Sequence, residues 1–170
     1  MPLLSDYARK LKLAYFFRDV PKNAKILEVG SGCGWLGRYL KSAGYTGYVS
    51  LDSTGPADMV GNILDYASLG IEPGSFDVVV AFELIEHVDC LQEAYEVLKP
   101  GGLLMLTSPL PHMDWLCLWL ERLGLNQRRN SPHCNLVYFK DLPLFEPVEI
   151  KTVADIVQWG KFRKPSTAGA

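Results

Sequence analysis

The chain has 170 residues, 48% of them hydrophobic and 21% charged, with a formal net charge of −2 and a sequence pI near 5.9. That length fits one domain with a core of its own. The charge balance lacks the basic footprint of a nucleic-acid binder, so a nucleic-acid partner is not expected. No apolar run reaches membrane-spanning length, and the first residues do not have the layout of a signal peptide. Cys33, Cys90, Cys117 and Cys134 are scattered without a C-x-x-C pair. They read as reduced thiols of a cytoplasmic protein, not as disulfides or a zinc site, and no metal site is assigned.

In chain order, Ser5 or Asp6 can cap a first helix over 5–18, with Tyr7, Leu11, Ala14 and Tyr15 at helical spacing and Pro21 beyond it. Residues 25–29 (KILEV) form a short apolar strand. The loop at 30–34 follows, and then a helix with Trp35, Leu36, Tyr39, Leu40 and Ala43 on one face, stopped by Gly44. Strands are expected at 47–51, 58–60 and 77–82. Asp89 caps a helix carrying Leu91, Tyr95 and Leu98. A KPGG turn at 99–102 leads to a strand at 103–107. Beyond this the rhythm weakens, to a helix near 115–123, a polar loop with Arg128 and Arg129, and a strand or hairpin near 148–157. Strands alternating with helices predict an α/β fold. Its three layers form a doubly wound, mostly parallel, Rossmann-like sheet in a single domain over 1–163, with 164–170 as a flexible tail.

The loop after the first strand carries the chemistry. Gly30, Gly32 and Gly34 stand where an open parallel sheet binds ligands, and glycine lets a ligand touch the main chain. Two parses compete. Gly32, Gly34 and Gly37 fit the dinucleotide pattern G-x-G-x-x-G, which leaves an NAD-dependent oxidoreductase as an alternative. That parse needs the strand to run on to Ser31. The other parse is Glu28-Val29-Gly30-Ser31-Gly32-Cys33-Gly34, in which a strand-end carboxylate disfavours a pyrophosphate and suits a cationic ligand.

The second parse resembles motif I of the class I S-adenosylmethionine-dependent methyltransferases. Further segments resemble the same family in the same order: Asp52 ending the second strand, Gly61-Asn62-Ile63-Leu64-Asp65, Ser75-Phe76-Asp77-Val78-Val79-Val80, Phe82-Glu83-Leu84-Ile85-Glu86-His87-Val88, and Leu98-Lys99-Pro100-Gly101-Gly102. They point to the small-molecule branch. The resemblance covers about residues 25–110 and implies S-adenosylmethionine as cofactor. By it, Glu28, Gly30, Ser31, Gly32 and Gly34 form the binding loop. Asp52 and Ser53 meet the ribose, and Asn62, Ile63 and Phe82 surround the adenine and the methyl-transfer end. Asn62 departs from the Asp common in the family, but its amide oxygen can still accept a hydrogen bond. Asp65 is the substitute.

The implied reaction is in-line methyl transfer to a small-molecule or lipid-like acceptor. The family's Glu-His pair is mostly architectural. His87 and His133 are nevertheless the candidate catalytic residues, because a neutral imidazole can take a proton from an acceptor. A non-catalytic, methyltransferase-like binding protein is the remaining alternative. The run 115–120 is apolar nearly all round, so it reads either as a buried cover for the sheet or as an apolar lid. With the first helix, the segment 115–133 is expected to form the acceptor pocket, with Trp119 in its wall.

Overall fold

The computed structural model describes residues 3–124 and 133–166. Arg128 and Arg129 lie outside them. Runs such as Ile26–Val29, apolar but for Glu28, and Val78–Ala81 are buried because both faces of the sheet are covered. They form β1 (Lys25–Val29), β2 (Gly47–Asp52), β3 (Met59–Val60), β4 (Phe76–Phe82) and β5 (Leu98–Pro109), followed by β6 (Glu146–Val153) and β7 (Val157–Arg163). The seven strands lie in the order β3-β2-β1-β4-β5-β7-β6. Strands β1 to β5 pair in parallel, and β7 runs antiparallel to both β5 and β6. The chain reverses its direction of travel across the sheet between β1 and β4, which opens a crevice at their carboxyl ends.

Successive residues of a strand face opposite layers. Leu27 and Val79 belong to one core, which packs against Leu91, Ala94 and Val97 of α3 (Leu91–Val97). Ile26, Val78 and Val80 belong to the other, with Leu36 and Leu40 of α2 (Trp35–Ser42) and Phe16 of α1 (Leu3–Phe16). The result is the expected three-layer α/β domain.

Several boundaries differ from the sequence reading. The first helix ends at Phe16 rather than 18. The residue capping α3 is Cys90, without a side-chain bond, and Asp89 lies one residue outside. The KPGG turn is an irregularity inside β5, where pairing jumps from Phe76–Leu98 to Val78–Leu103. The late segment is a full hairpin. Its outer strand β6 is exposed along nearly its whole length and carries Glu146, Glu149 and Lys151, an edge that resists further pairing and gives little apolar signal. The flexible tail does not begin at Lys164, whose main chain bonds Gly101 and Gly102 and whose Nζ donates to the carbonyls of Tyr95 and Leu98 at 2.7 Å each. Residues 167–170 lie outside the described residues.

Among the described residues, no helix is long and apolar enough to cross a membrane. The four cysteines are free of one another.

Candidate active site

At the carboxyl ends of β1, β2 and β4 lies a cavity of about 640 Å³. Its floor begins with the loop after β1. Gly30, Gly32 and Gly34 all have positive φ, at 74°, 51° and 67°, so the loop's path needs glycine there. A Cβ on Gly32 would meet nothing within 4 Å, whereas one on Gly30 would press on Leu84. Gly32 is thus an open cradle at the cavity floor. Gly34 lies outside the lining and caps α2 with its left-handed conformation.

Asp52, at the end of β2, ties this loop to the sheet. Its Oδ2 accepts from Gly32 N at 2.7 Å and its Oδ1 from Thr54 N at 3.0 Å. Ser53, Asn62 and Ile63 line the same end of the cavity. Asn62 Oδ1 accepts from Leu64 N at 3.1 Å, which caps the short 3-10 turn Ile63–Asp65, and a carbonyl oxygen has a second lone pair for another donor. Asp65, the substitute for Asn62, is exposed and does not line the cavity.

Glu28 is placed differently from the sequence expectation. It is buried behind the loop, does not line the cavity, and accepts a hydrogen bond from the Tyr48 hydroxyl. Burial pushes its carboxyl up to about 7, with repulsion from Asp52 adding to the rise and the Tyr48 bond opposing it. The dinucleotide parse also loses its basis. β1 ends at Val29, and Gly37 serves packing, since a Cβ there would lie 2.6 Å from the Tyr48 oxygen.

The middle of the cavity is aromatic and charged. Phe82 stacks at 6.5 Å on Trp35, and Arg9 lies over Trp35 at 5.3 Å. Trp35 is therefore a cavity wall. Glu83 follows Phe82 with φ 53°, unusual for a residue with a side chain. Its carboxylate pairs with Lys12 Nζ at 2.7 Å and accepts from Thr107 Oγ1 at 2.8 Å. Burial acts to raise the Glu83 carboxyl, but Lys12 and these bonds prevail and hold it below the usual carboxylate range. The side chain keeps 44% of its surface accessible, and that surface faces the cavity.

The far end holds both candidate catalytic histidines. The rings of His87 and His133 meet edge to face with centroids 4.8 Å apart. His133 Nδ1 is 2.6 Å from Asp114 Oδ1. Glu86, 1% exposed, stands beside them, and burial, then repulsion from Glu83, pushes its carboxyl up to about 8. His112 instead bonds the Tyr138 hydroxyl at 3.0 Å and stays outside the lining.

The cavity is closed by α1, by the β6–β7 turn and by α4 (Asp114–Arg122). α4 is neither a buried cover nor a lid built on Trp119. Trp115 and Trp119 are 60% and 58% exposed, while Cys117, Leu120 and Glu121 turn inward to the cavity. Sequence reasoning missed Arg9, Lys12, Asp114 and the hairpin turn. The three-residue spacing of Arg9 and Lys12 on one helix face was the only local signal among these.

The strand order, with a glycine loop after β1 and a carboxylate ending β2, places the fold and cavity among the class I S-adenosylmethionine-dependent methyltransferases. The model of the methyltransferase domain family matches residues 4–142, and the chain belongs to that family. Among solved structures, a protein from Pyrococcus horikoshii is similar with TM-score 0.64 and 16% identity, over 94% of this chain and 91% of that one. A S-adenosylmethionine-dependent methyltransferase from Mesorhizobium loti is similar with TM-score 0.62 and 14% identity, over 90% and 97%. The 4+2 cyclase SpnF is similar with TM-score 0.62 and 12% identity, over 96% and 82%. At such identities the likeness is one of fold. No curated protein matches the chain in sequence.

Proposed function

We propose that this methyltransferase moves the methyl group of S-adenosylmethionine to a small-molecule or lipid-like acceptor by in-line displacement. The observation carrying this reading is one continuous cavity that runs from the glycine loop to the histidine pair. The fit at the cofactor end rests on the open space above Gly32 and on the Asp52 carboxylate beside it. There Gly30, Ser31 and Gly32 would hold the amino-acid part of the cofactor. Asp52 and Ser53 would hold its ribose, and Asn62 and Ile63 its adenine, with Phe82 near the reacting end. Glu28 and Gly34 act indirectly by shaping the loop. The cofactor supplies a methyl already activated by its sulfonium.

The chain's own work is then alignment and exclusion of water. Phe82, Trp35 and the β6–β7 turn wall the path, and Lys12 keeps Glu83 ionised at its side. The acceptor's nucleophilic atom would sit before His87 and His133. With its Nδ1 held by Asp114, His133 presents Nε2, the nitrogen that can receive a proton in the absence of a bound cation. The apolar residues Leu120, Ile156 and Val157 favour an acceptor with an apolar body.

Calorimetry with S-adenosylhomocysteine tests the cofactor assignment. Wild type is expected to bind one equivalent. Gly32→Val should lose binding, because its side chain would occupy the open cradle and a branched residue strains the backbone at φ 51°; a melt beside the titration measures the cost of that strain. Undiminished affinity in the variant would sink the assignment. A radiolabelled methyl-transfer screen against a metabolite library then identifies the acceptor.

A further inference from the structure

Glu86 and His87 leave β4 in a tight turn, where His87 N and Val88 N both bond the Leu84 carbonyl. His133 arrives from far along the chain and is stapled to that turn. Cys134 N and Asn135 N donate to the Glu86 carbonyl at 2.8 and 3.0 Å, and Asn135 Nδ2 donates to the Ile85 carbonyl at 3.2 Å. The staple brings one ligand atom from each of Glu86, His87 and His133 to within 4.8 Å of one another. All three side chains line the cavity.

Two further observations point to a ligand for this cluster. Glu86 Oε2 is buried and meets no partner at hydrogen-bond distance. A buried carboxyl oxygen left unpaired is costly unless something fills its place. In addition, Asp114 holds His133 by Nδ1 at 2.6 Å, the outer carboxylate that metal-bound histidines commonly have, with the other nitrogen left for the metal. The cation that Lys12 offers nearby is engaged with Glu83, not with Glu86.

We propose that Glu86, His87 and His133 bind a divalent first-row transition cation such as Zn²⁺ or Mn²⁺, with Asp114 as the positioning residue for His133. Two imidazoles and one carboxylate favour such a metal over Mg²⁺ or Ca²⁺, which prefer all-oxygen shells. Ligand bonds of about 2.0–2.2 Å would draw the three atoms closer together than their present spacing of up to 4.8 Å. Three protein ligands leave positions open toward the cavity.

The site's use rests on the methyl-transfer reading; the binding itself does not. An acceptor hydroxyl coordinated there becomes more acidic and releases its proton to water. The oxygen lone pair then forms the new carbon–oxygen bond as the methyl's carbon–sulfur bond breaks, leaving a neutral thioether. With the cation present, His133 is a ligand and not the proton acceptor.

The test is titration of the untagged full chain, stripped with chelator, with Zn²⁺, Mn²⁺, Co²⁺ and Mg²⁺ by calorimetry, and with Co²⁺ by visible absorption. One transition cation per chain is expected, with Mg²⁺ much weaker. Asp114→Asn should lower the affinity about tenfold or more. His87→Ala, at a half-buried ring, should lower it at least as far. His112→Ala, outside the cluster, should leave it unchanged. Glu86→Gln is expected to behave like His87→Ala, but the latter is the deciding variant because Glu86 is buried. Absence of saturable binding, equal affinity in His87→Ala, or equal affinity for Mg²⁺ would each overturn the proposal. S-Adenosylhomocysteine binding by the same metal-free protein is a separate readout, so failure of the metal site and failure of the cofactor assignment are distinguishable.

Discussion

Replacing Asp52 by Ala tests the cofactor end of the cavity most directly. The carboxylate holds Gly32 N at 2.7 Å and the Thr54 main chain at 3.0 Å, so its loss both loosens the glycine loop and removes the proposed partner of the ribose hydroxyls. A hydrogen bond to a charged group is worth about 1.5–3 kcal/mol. Asp52 is only half-buried, which places its effect at the lower end of that range. At about 1.4 kcal/mol per factor of ten, S-adenosylhomocysteine should bind roughly tenfold more weakly, with more loss if the loop disorders. Loop and ribose effects separate in a double cycle. A 2′,3′-dideoxy analogue should lose affinity in wild type and little further in Asp52→Ala, as read by calorimetry. If the two losses simply add, Asp52 does not touch the ribose and serves only to anchor Gly32.

Three other outcomes follow from the geometry. Glu28 has a carboxyl raised to about 7 in the folded chain, above its ordinary value of 4.5. The folded state therefore binds more protons than the unfolded one between these values, and the contribution is fully present below about 4.5 and lost as pH rises through 7. Glu28→Gln keeps an acceptor for Tyr48 without ionising, so its melting temperature relative to wild type should climb from pH 5 to pH 8; a flat difference refutes the assignment. On α4, Leu120→Trp should fill the cavity and cut turnover while the melt is retained. Trp119→Ala, at an exposed position, should change stability by only about 0.5 kcal/mol and leave turnover intact. A Trp119→Ala chain that fails to fold would show that this helix face is covered.

The central strands and the glycine loop were legible in the residues because their causes are local. Val78, Val79 and Val80 are apolar in succession because both sheet faces are covered, and Gly30 and Gly32 are glycines because the backbone there is left-handed. Asp52 and Asn62 could likewise be placed by their position after a strand. The ordered motifs named the family for the same reason, since each is a short piece of chain meeting one requirement. What lay beyond the sequence depends on pieces far apart along it. Glu28 sits one residue from the loop, yet it faces Tyr48 rather than the cavity, because alternation along β1 turns it into the layer under α2. Trp119 is larger than Leu120, yet it faces solvent, because α4 turns Cys117, Leu120 and Glu121 to the cavity and Trp119 to the other side. The meeting of Glu86 and His87 with Asp114 and His133 had no local signature at all. Hydrogen bonds from Cys134 and Asn135 to the turn after β4 create it, and such bonds exist only once the sheet has brought those two segments together.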